Sequence, residues 1–254
     1  MLQLALSIPK SWYCCLTDLN LYDANGDLAT QIGRGDYLGL PESWLDAPVA
    51  LPNFLPVILW TDYYHAYLAA ADRQYLKACD VMPPRLPPLD AGAIALLIPQ
   101  VIAYARAAGE QPNQYLWGGR LPPNFDCSGL VQAAFAHTQI VVPRDAYQQE
   151  AFAQFIPYQS NFRDWIAELQ AGDLVFFGQS KATHVGIYLG DGTYIHSSGS
   201  SYGHNCIAID RLYDPNHLSS IPPSPAKHYA AELRGAGRIC HSYQPDLTCG
   251  DRAN

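Results

Sequence analysis

Positive charge is scarce in this sequence. Lys and Arg number 15 against 23 Asp and Glu among 254 residues, which gives a formal net charge of −8 at pH 7. A protein that binds the phosphate backbone of a nucleic acid needs an excess of basic residues, so the charge balance argues against nucleic acid as a partner. We expect a small neutral or cationic ligand.

Cysteine is also sparse. The seven cysteines are odd in number, include no CxxC pair and are too few for a disulfide scaffold, which is typical of a reducing compartment. Residues 1–15 have no basic segment ahead of their short apolar run and no small-residue cleavage site, so they are a poor signal peptide. No apolar run approaches the length of a membrane span. We therefore expect a cytoplasmic, monomeric protein with no membrane partner.

Prolines and glycines divide the chain into two parts. Short alternating runs separated by turn residues predict a small all-β domain over residues 1–80. Residues 81–92 contain four prolines and predict a stiff, extended linker. Residues 93–241 would form the second domain, and residues 242–254, which have little apolar content, predict a disordered tail.

Helical patterns precede strand patterns in the second domain. Apolar spacing over residues 93–109 predicts an amphipathic helix, which Pro99 should kink or shorten at its first turn. Further helices are expected to begin near Ser128 and to span 162–170, and strands to span 173–177, 183–196, 208–210 and 238–240. Helices followed by an antiparallel sheet define the α+β class.

The first candidate for chemistry is the cysteine in Asp126-Cys127-Ser128-Gly129, which stands just before an apolar run that suits a helix. At a helix N-terminus, unpaired N–H groups and the helix dipole favour the thiolate, the nucleophilic form of cysteine. A lone cysteine is more often a small buried hydrophobic residue, so Cys127 needs a basic partner. Asp126 suits both a helix cap and a site for a ligand amine.

Two histidines could supply that partner. His184 and His196 lie in alternating runs that flank residues 190–192, Gly-Asp-Gly, a strong hairpin signal. A two-residue loop would put the two rings on opposite faces of the hairpin. A three-residue loop, with its last glycine in the left-handed conformation, brings both rings to one face, about 7–8 Å apart between backbones. We predict the three-residue loop, with Gly186 leaving room beside His196.

These residues belong to a series of ordered motifs that resembles the NlpC/P60 cysteine peptidases. The motifs are Tyr115-Leu116-Trp117-Gly118-Gly119, Asp126-Cys127-Ser128-Gly129-Leu130-Val131, Pro143-Arg144-Asp145, Gly172-Asp173-Leu174-Val175-Phe176-Phe177, His184-Val185-Gly186-Ile187-Tyr188 and Ile195-His196. The resemblance covers residues 93–241 and implies a reduced papain-like fold. The run from Trp60 to Leu68 resembles the hairpin of bacterial SH3-like domains, which implies a small β-barrel in front.

The resemblance also implies roles for individual residues. In this family the matching positions make Cys127 the nucleophile, His184 the general base and acid, and His196 the residue that orients His184. Tyr115 would support the oxyanion region. The residues to which the resemblance assigns substrate binding are Asp126, Ser128, Asp145, Asp62 and Tyr64.

As a whole the chain resembles the γ-D-glutamyl-L-diamino acid endopeptidases that cut cell-wall peptides. This implies a substrate of the form L-Ala-γ-D-Glu-diamino acid with a free N-terminal L-Ala, release of L-Ala-D-Glu, recycling of murein fragments, and no cofactor or metal. Two departures affect the amine-binding subsite. Ala146 stands where relatives commonly have serine, and Thr61-Asp62-Tyr63 replaces a more acidic run.

Three alternatives stay open. His184, His196, His204 and Cys206 are metal ligands by type, although their spacing fits no tight zinc pattern. A papain-like amidase or acyltransferase would use the same cysteine and histidine on another amide. A non-catalytic module would bind cell-wall peptides through the SH3-like domain, and the presence of Cys127, His184 and His196 argues against it.

Overall fold

The structure is a computed structural model that describes residues 9, 11–40, 53–158, 161–201, 203–221 and 224–245. The chain divides into two compact units, the first formed by residues 1–87 with 244–254 and the second by residues 88–243. The boundary lies within the predicted linker, but the linker ends early because a helix begins at Ala91 with Asp90 as its N-cap.

The first unit is built on strands, and its described residues contain seven of them. They are β1 (Ser11–Cys15), β2 (Leu19–Tyr22), β3 (Leu28–Ile32), β4 (Tyr37–Leu40), β5 (Phe54–Leu59), β6 (His65–Ala69) and β7 (Leu76–Ala78). They form an antiparallel sheet in the order β3-β2-β6-β5-β4-β1-β7 around the buried side chains of Leu21, Leu38, Val57 and Leu68. The strand-rich unit is confirmed, and its likeness to an SH3 barrel stays a prediction.

The second unit combines helices with one antiparallel sheet. Its helices are α1 (Ala91–Glu110), α2 (Cys127–His137), α3 (Ala146–Phe152), α4 (Phe162–Glu168) and α5 (Pro225–Ala231). Its strands are β8 (Gln154–Pro157), β9 (Leu174–Phe177), β10 (His184–Gly190), β11 (Thr193–Ser198), β12 (Cys206–Arg211) and β13 (Leu233–Arg238), in the sheet order β12-β11-β10-β9-β13-β8. The α+β class is therefore confirmed.

Both faces of this sheet are covered. Along β9, Leu174 and Phe176 pack into a cluster with α1 and α2, whereas Val175 and Phe177 pack into a second cluster with residues of α4 and α5. All four side chains are buried, which contributes roughly 1.5–3 kcal/mol for each. Burial on both faces explains why the strand reads as a continuous apolar run.

Helix α1 is not trimmed at its first turn, since it begins at Ala91 and continues through Pro99. Its 20 residues include an 18-residue window with a mean hydropathy of 1.5. By length and composition alone this helix could cross a membrane, so the prediction that no run approaches the length of a membrane span is wrong. Length and composition are weak evidence for a span, and Ile94, Val101 and Ala105 of this helix lie in the core of the unit.

Several short elements were not predicted. Helices α3 and α5 have seven residues each, and β8 is set by its pairing with β13. Such short segments carry little periodicity, so tertiary contacts decide them. Ser242 and Tyr243, assigned to the predicted tail, donate backbone hydrogen bonds to Leu89 and Val141. Residues 246–254 lie outside the described residues.

Candidate active site

Helix α2 begins at Cys127, as the sequence predicts. Asp126 is its N-cap: the side-chain Oδ1 accepts a hydrogen bond of 2.6 Å from the Gly129 N–H. The extended backbone of Asp126, with φ −86° and ψ −178°, turns the chain into the helix. Cys127 therefore lies in the first helical turn, where backbone N–H groups have no acceptor within the helix.

The Asp126 carboxylate is held by a second residue that the sequence did not single out. Arg144 donates to both carboxylate oxygens, at 3.1 Å to Oδ1 and 2.6 Å to Oδ2, and to the Ser128 hydroxyl at 2.9 Å. The Gly118 N–H donates to Oδ2 at 2.9 Å. Arg144 is 2% exposed, so this is a buried, bidentate ion pair. A ligand amine would meet a carboxylate that already has several donors.

Burial dominates the acidity of the Cys127 thiol. The pKa is raised to about 12, chiefly by burial and next by the neighbouring Asp126, against backbone hydrogen bonds involving Val185 and Ser128 that lower it. The backbone hydrogen bonds act in the expected direction, toward the thiolate, but desolvation outweighs them, so the resting thiol keeps its proton. The contact with Val185 also puts the thiol beside the residue that follows His184 on β10.

The hairpin of β10 and β11 reaches the predicted register by another route. Its loop has two residues, Asp191 and Gly192, both with positive φ, and Gly190 pairs with Thr193. The predicted three-residue loop is therefore wrong. A bulge at Leu189 adds one residue to β10, so that Tyr188 pairs with Tyr194 and Ile187 with Ile195.

The bulge brings His184 and His196 to the same face of the hairpin, which the two-residue loop alone would prevent. Gly186 faces His196, since a Cβ at Gly186 would lie 3.2 Å from the Cβ of His196. His184 then falls on the same face as His196, and their Nε2 and Nδ1 atoms are 2.6 Å apart in a hydrogen bond. Both side chains are buried, His196 completely.

The hydrogen-bond chain continues beyond the two predicted histidines. His196 Nε2 lies 3.2 Å from Oδ2 of Asp210 on β12, and His204 Nε2 lies 3.1 Å from Oδ1 of the same carboxylate. Among the described residues, the donor atoms of His196, His204 and Asp210 lie within 4.8 Å of one another, a set that could hold a metal ion. The metal alternative from sequence named Cys206 instead of Asp210.

Burial holds both central histidines in their neutral form. It lowers the pKa of His184 well below its ordinary value, and His196 and His228 lower it further. Burial also lowers the pKa of His196, against the opposing effect of its hydrogen bond to Asp210. Although burial alone would raise it, hydrogen bonds with His196 and His204 lower the pKa of Asp210, which favours the carboxylate.

Two tyrosines surround this chain. The Tyr229 ring stacks on His184 with centroids 4.3 Å apart and an interplanar angle of 19°. Burial, and next the nearby Cys127, raise the pKa of Tyr229, and the same two causes raise the pKa of Tyr115. Both tyrosines therefore lie near the thiol. Tyr115 was predicted here, whereas Tyr229, on a short helix without a recognisable motif, was not.

The site thus combines a buried cysteine, whose thiol interacts with the backbone of Val185, with a hydrogen-bonded pair of histidines that includes His184, the residue before Val185. Residues 112–219, which contain all three, match the NlpC/P60 family. The matched residues lie within the second unit.

Curated relatives match parts of this chain. The chain is 46% identical over 91 residues to the bifunctional muramidase/DL-endopeptidase CwlT of Bacillus subtilis strain 168, which covers 34% of this chain and 25% of CwlT. It is 34% identical over 117 residues to the peptidoglycan endopeptidase RipB of Mycobacterium tuberculosis strain CDC 1551, which covers 40% of this chain and 45% of RipB. The chain thus spans less than half the length of these relatives.

A solved structure of an NlpC/P60 family protein from Bacillus cereus ATCC 10987 is also similar to this chain. The alignment covers 91% of this chain and 63% of that protein, with 20% identity and a TM-score of 0.44.

The remaining predicted site residues are divided between the units. In the second unit, Asp145 is the N-cap of α3, where its backbone N–H donates to the Gln148 side chain at 3.0 Å, and Ala146 is buried next to it. Asp62 and Tyr64 lie in the first unit, between β5 and β6, where Asp62 accepts a hydrogen bond of 3.2 Å from the Tyr64 N–H. A role of Asp62 and Tyr64 in substrate binding stays a prediction.

Proposed function

We propose that the protein is a cysteine peptidase that hydrolyses the γ-D-glutamyl-diamino acid bond of cell-wall peptides. The observation that carries this proposal is the 2.6 Å hydrogen bond between His196 and His184, the residue next in sequence to Val185, with which the Cys127 thiol interacts. The names of the relatives, a DL-endopeptidase and a peptidoglycan endopeptidase, support the substrate class. The acidic net charge of −8 suits a substrate with a free amine.

The reaction begins with a protonated thiol, because burial raises the pKa of Cys127 to about 12. His184 accepts the thiol proton as sulfur attacks the amide carbonyl of the substrate. The Cys127 N–H, in the first turn of α2, donates to the oxyanion of the tetrahedral intermediate, a contribution of a few kcal/mol. His184 then passes its proton to the leaving amine, and a thioester remains.

Hydrolysis of the thioester reverses these roles. Water gives one proton to His184 and attacks the thioester carbonyl, and the proton on His184 returns to the departing thiolate. The products are a free carboxylic acid and the restored thiol. His196 holds the His184 ring throughout, through Nε2 of His184.

Asp126, Ser128 and Arg144 would form the amine-binding side of the site. Arg144 balances the Asp126 charge, so an incoming ammonium group would join an existing network rather than pair with an isolated acid. We expect recognition to depend on geometry as well as charge. A free N-terminal L-Ala, release of L-Ala-D-Glu and a role in murein recycling belong to the proposal.

Mass spectrometry of the products tests the proposal. The purified chain is incubated with L-Ala-γ-D-Glu-diamino acid tripeptides whose N-terminus is free or acetylated, and Cys127→Ala serves as the control. We expect L-Ala-D-Glu from the free peptide alone and no turnover by Cys127→Ala. Unchanged turnover by Cys127→Ala would disprove the cysteine mechanism, and equal cleavage of both peptides would remove the amine requirement.

Two further results would indicate the alternatives. Transfer of the acyl group to an added amine, with little free acid, would indicate an acyltransferase. Binding of the peptides without turnover under all conditions would indicate a non-catalytic module.

A further inference from the structure

Asp210 ends a hydrogen-bond chain that starts at His184 and passes through His196. The three residues lie on neighbouring strands, β10, β11 and β12, and His196 pairs directly with Ala208. Asp210, two residues beyond Ala208, stands on the same face of the sheet. The distances along the chain are 2.6 Å from His184 Nε2 to His196 Nδ1 and 3.2 Å from His196 Nε2 to Asp210 Oδ2.

The positions of the protons in this chain follow from the chemistry at its end. A carboxylate only accepts hydrogen bonds, so the proton of a neutral His196 must be on Nε2. Its Nδ1 then has a lone pair and accepts from His184 Nε2. A neutral His184 that has its proton on Nε2 has a free lone pair on Nδ1, which is the nitrogen that can take a proton from a thiol.

Without the carboxylate, the opposite arrangement is equally possible. His196 could carry its proton on Nδ1 and donate to His184 Nε2, which would put the proton of His184 on Nδ1. In that tautomer His184 could not act as a base toward Cys127. The hydrogen bond between the two histidines is compatible with both arrangements, so it does not choose between them.

The other groups around the two histidines do not make this choice. The described ones are Tyr194 on β11 and His204 near His196, His228 near His184, and Tyr229, whose ring centroid lies 5.2 Å from that of His196. Each of these side chains has a tautomer or rotamer that donates a hydrogen bond and another that accepts one. Among the described groups around the two histidines, only the carboxylate of Asp210 accepts hydrogen bonds without being able to donate them.

We propose that Asp210 is a positioning residue: by accepting from His196 Nε2 it fixes the tautomers of both histidines and leaves Nδ1 of His184 as the basic nitrogen. The proposal rests on the proposed function of Cys127 and His184. His204 donates to the same carboxylate from a side chain that is 35% exposed, so it helps to hold Asp210 but does not touch His184 or the thiol. His204 therefore provides a matched control.

The first test needs neither a substrate nor a variant. Nitrogen-15 chemical shifts of the histidine rings, measured on the full chain at pH 7, distinguish a protonated ring nitrogen from a bare one. We expect His184 to be protonated on Nε2 and bare on Nδ1, and His196 to be protonated on Nε2. A proton on Nδ1 of His184 would overturn the proposal.

The second test compares Asp210→Asn with His204→Gln. An asparagine amide can donate to His196 Nε2, which favours the inactive tautomers. We expect Asp210→Asn to lower kcat on the tripeptide by about 10²-fold with little change in KM, by analogy with loss of the orienting carboxylate in other triads, and His204→Gln to stay within about twofold. Wild-type kcat in Asp210→Asn with retained folding would overturn the proposal.

Alkylation of Cys127 separates this proposal from the proposed function. The rate of iodoacetamide modification at Cys127, followed by peptide mass spectrometry between pH 5 and 9, reports proton removal from the thiol by His184 without any substrate. We expect a lower rate in Asp210→Asn than in the wild type, even if the tripeptide is not the substrate. Equal rates would contradict the role of Asp210. If Asp210→Asn does not fold, Asp210→Glu, which keeps a carboxylate, is compared with the wild type instead. An alkylation rate in Asp210→Glu close to that of the wild type supports the role.

A metal ion is the competing occupant of this position. A zinc ion on His196, His204 and Asp210 would replace the proton on His196 Nε2. Activity of the purified chain that disappears with a chelator and returns with zinc would overturn the proposal. We expect activity that is indifferent to the chelator.

Discussion

The Tyr229 ring lies almost parallel to the ring of His184, with 4.3 Å between centroids, and meets the His196 ring nearly edge-on at 5.2 Å. Helix α5, which carries Tyr229, thus packs against the two histidines that β10 and β11 provide. Tyr229 is 5% exposed, so its contacts are made inside the protein. The orientation of His184 therefore depends on a helix outside the hairpin.

Removal of this ring is expected to affect stability and activity together. Tyr229→Ala should lower the free energy of unfolding by about 3–5 kcal/mol because it leaves a cavity beside His184. It should also lower kcat by up to about 10²-fold, since the His184 ring loses a restraint. Tyr229→Phe keeps the stack and loses only the hydrogen bond with Ser198, about 0.5–1.5 kcal/mol. Urea denaturation and tripeptide kinetics measure both effects, and equal activities in the two variants would contradict the positioning by the ring.

The buried pair of Arg144 and Asp126 gives a second prediction. Arg144→Met should lower the free energy of unfolding by about 3–5 kcal/mol, because it leaves the Asp126 carboxylate buried without its cation. Arg234→Met is the matched control, since the pair of Arg234 and Glu150 is more exposed and should contribute about 1 kcal/mol or less. Chemical denaturation of both variants measures the difference. Similar decreases in the free energy of unfolding in the two variants would show that burial does not make the pair of Arg144 and Asp126 more stabilising.

Two glycines in first helical turns form a matched pair for a third prediction. A Cβ at Gly129 would collide with the backbone carbonyl of Gly119, whereas a Cβ at Gly92 would meet only Asp90 Oδ1, at 3.5 Å. Gly129→Ala should therefore cost about 1–3 kcal/mol and lower activity, because α2 must shift next to Cys127. Gly92→Ala should stabilise the protein by about 0.4–1 kcal/mol through loss of chain entropy in the unfolded state. Thermal unfolding of the two variants checks the opposite signs.

The neutral histidines predict how stability depends on pH. In the unfolded chain their pKa is about 6.5, and in the folded chain the pKa values of His184 and His196 are lower. As the pH falls below about 6.5, the unfolded chain binds protons that the folded chain does not, so the free energy of unfolding decreases by up to about 1.4 kcal/mol per pH unit for each histidine. The stability is fully present above pH 6.5 and is lost progressively below it.

Urea denaturation at pH 7 and pH 5 measures this slope in the wild type and in His184→Gln. We expect a shallower slope in the variant because one neutral buried histidine is gone. Identical slopes would show that the loss of stability has another origin.

The sequence was informative wherever a short motif determines local structure. Asp126 caps α2 and Cys127 begins it, as the spacing of polar and apolar residues predicts. His184 and His196 do meet on one face, as predicted, but they do so through the bulge at Leu189 and not through the predicted loop. The α+β class followed from the order of the helical and strand patterns.

Contacts between distant segments could not be read from the sequence. Arg144 reaches Asp126 across 18 positions, and Asp210 and Tyr229 reach the histidines from a neighbouring strand and a short helix. No sequence motif around these three residues indicates which residue each of them contacts. The net acidity of Cys127 could not be predicted, because the sequence shows the helix end but not the depth of burial that outweighs it.

The bulge at Leu189 constrains how this chain can change in length. Most surface hairpins tolerate the gain or loss of a single residue, since the strands can slide or the loop can absorb it. In the hairpin of β10 and β11 one residue more or less reverses which face of the sheet His184 occupies relative to His196. Among related sequences, length changes between these two histidines should therefore come in pairs of residues, or be accompanied by the gain or loss of a bulge.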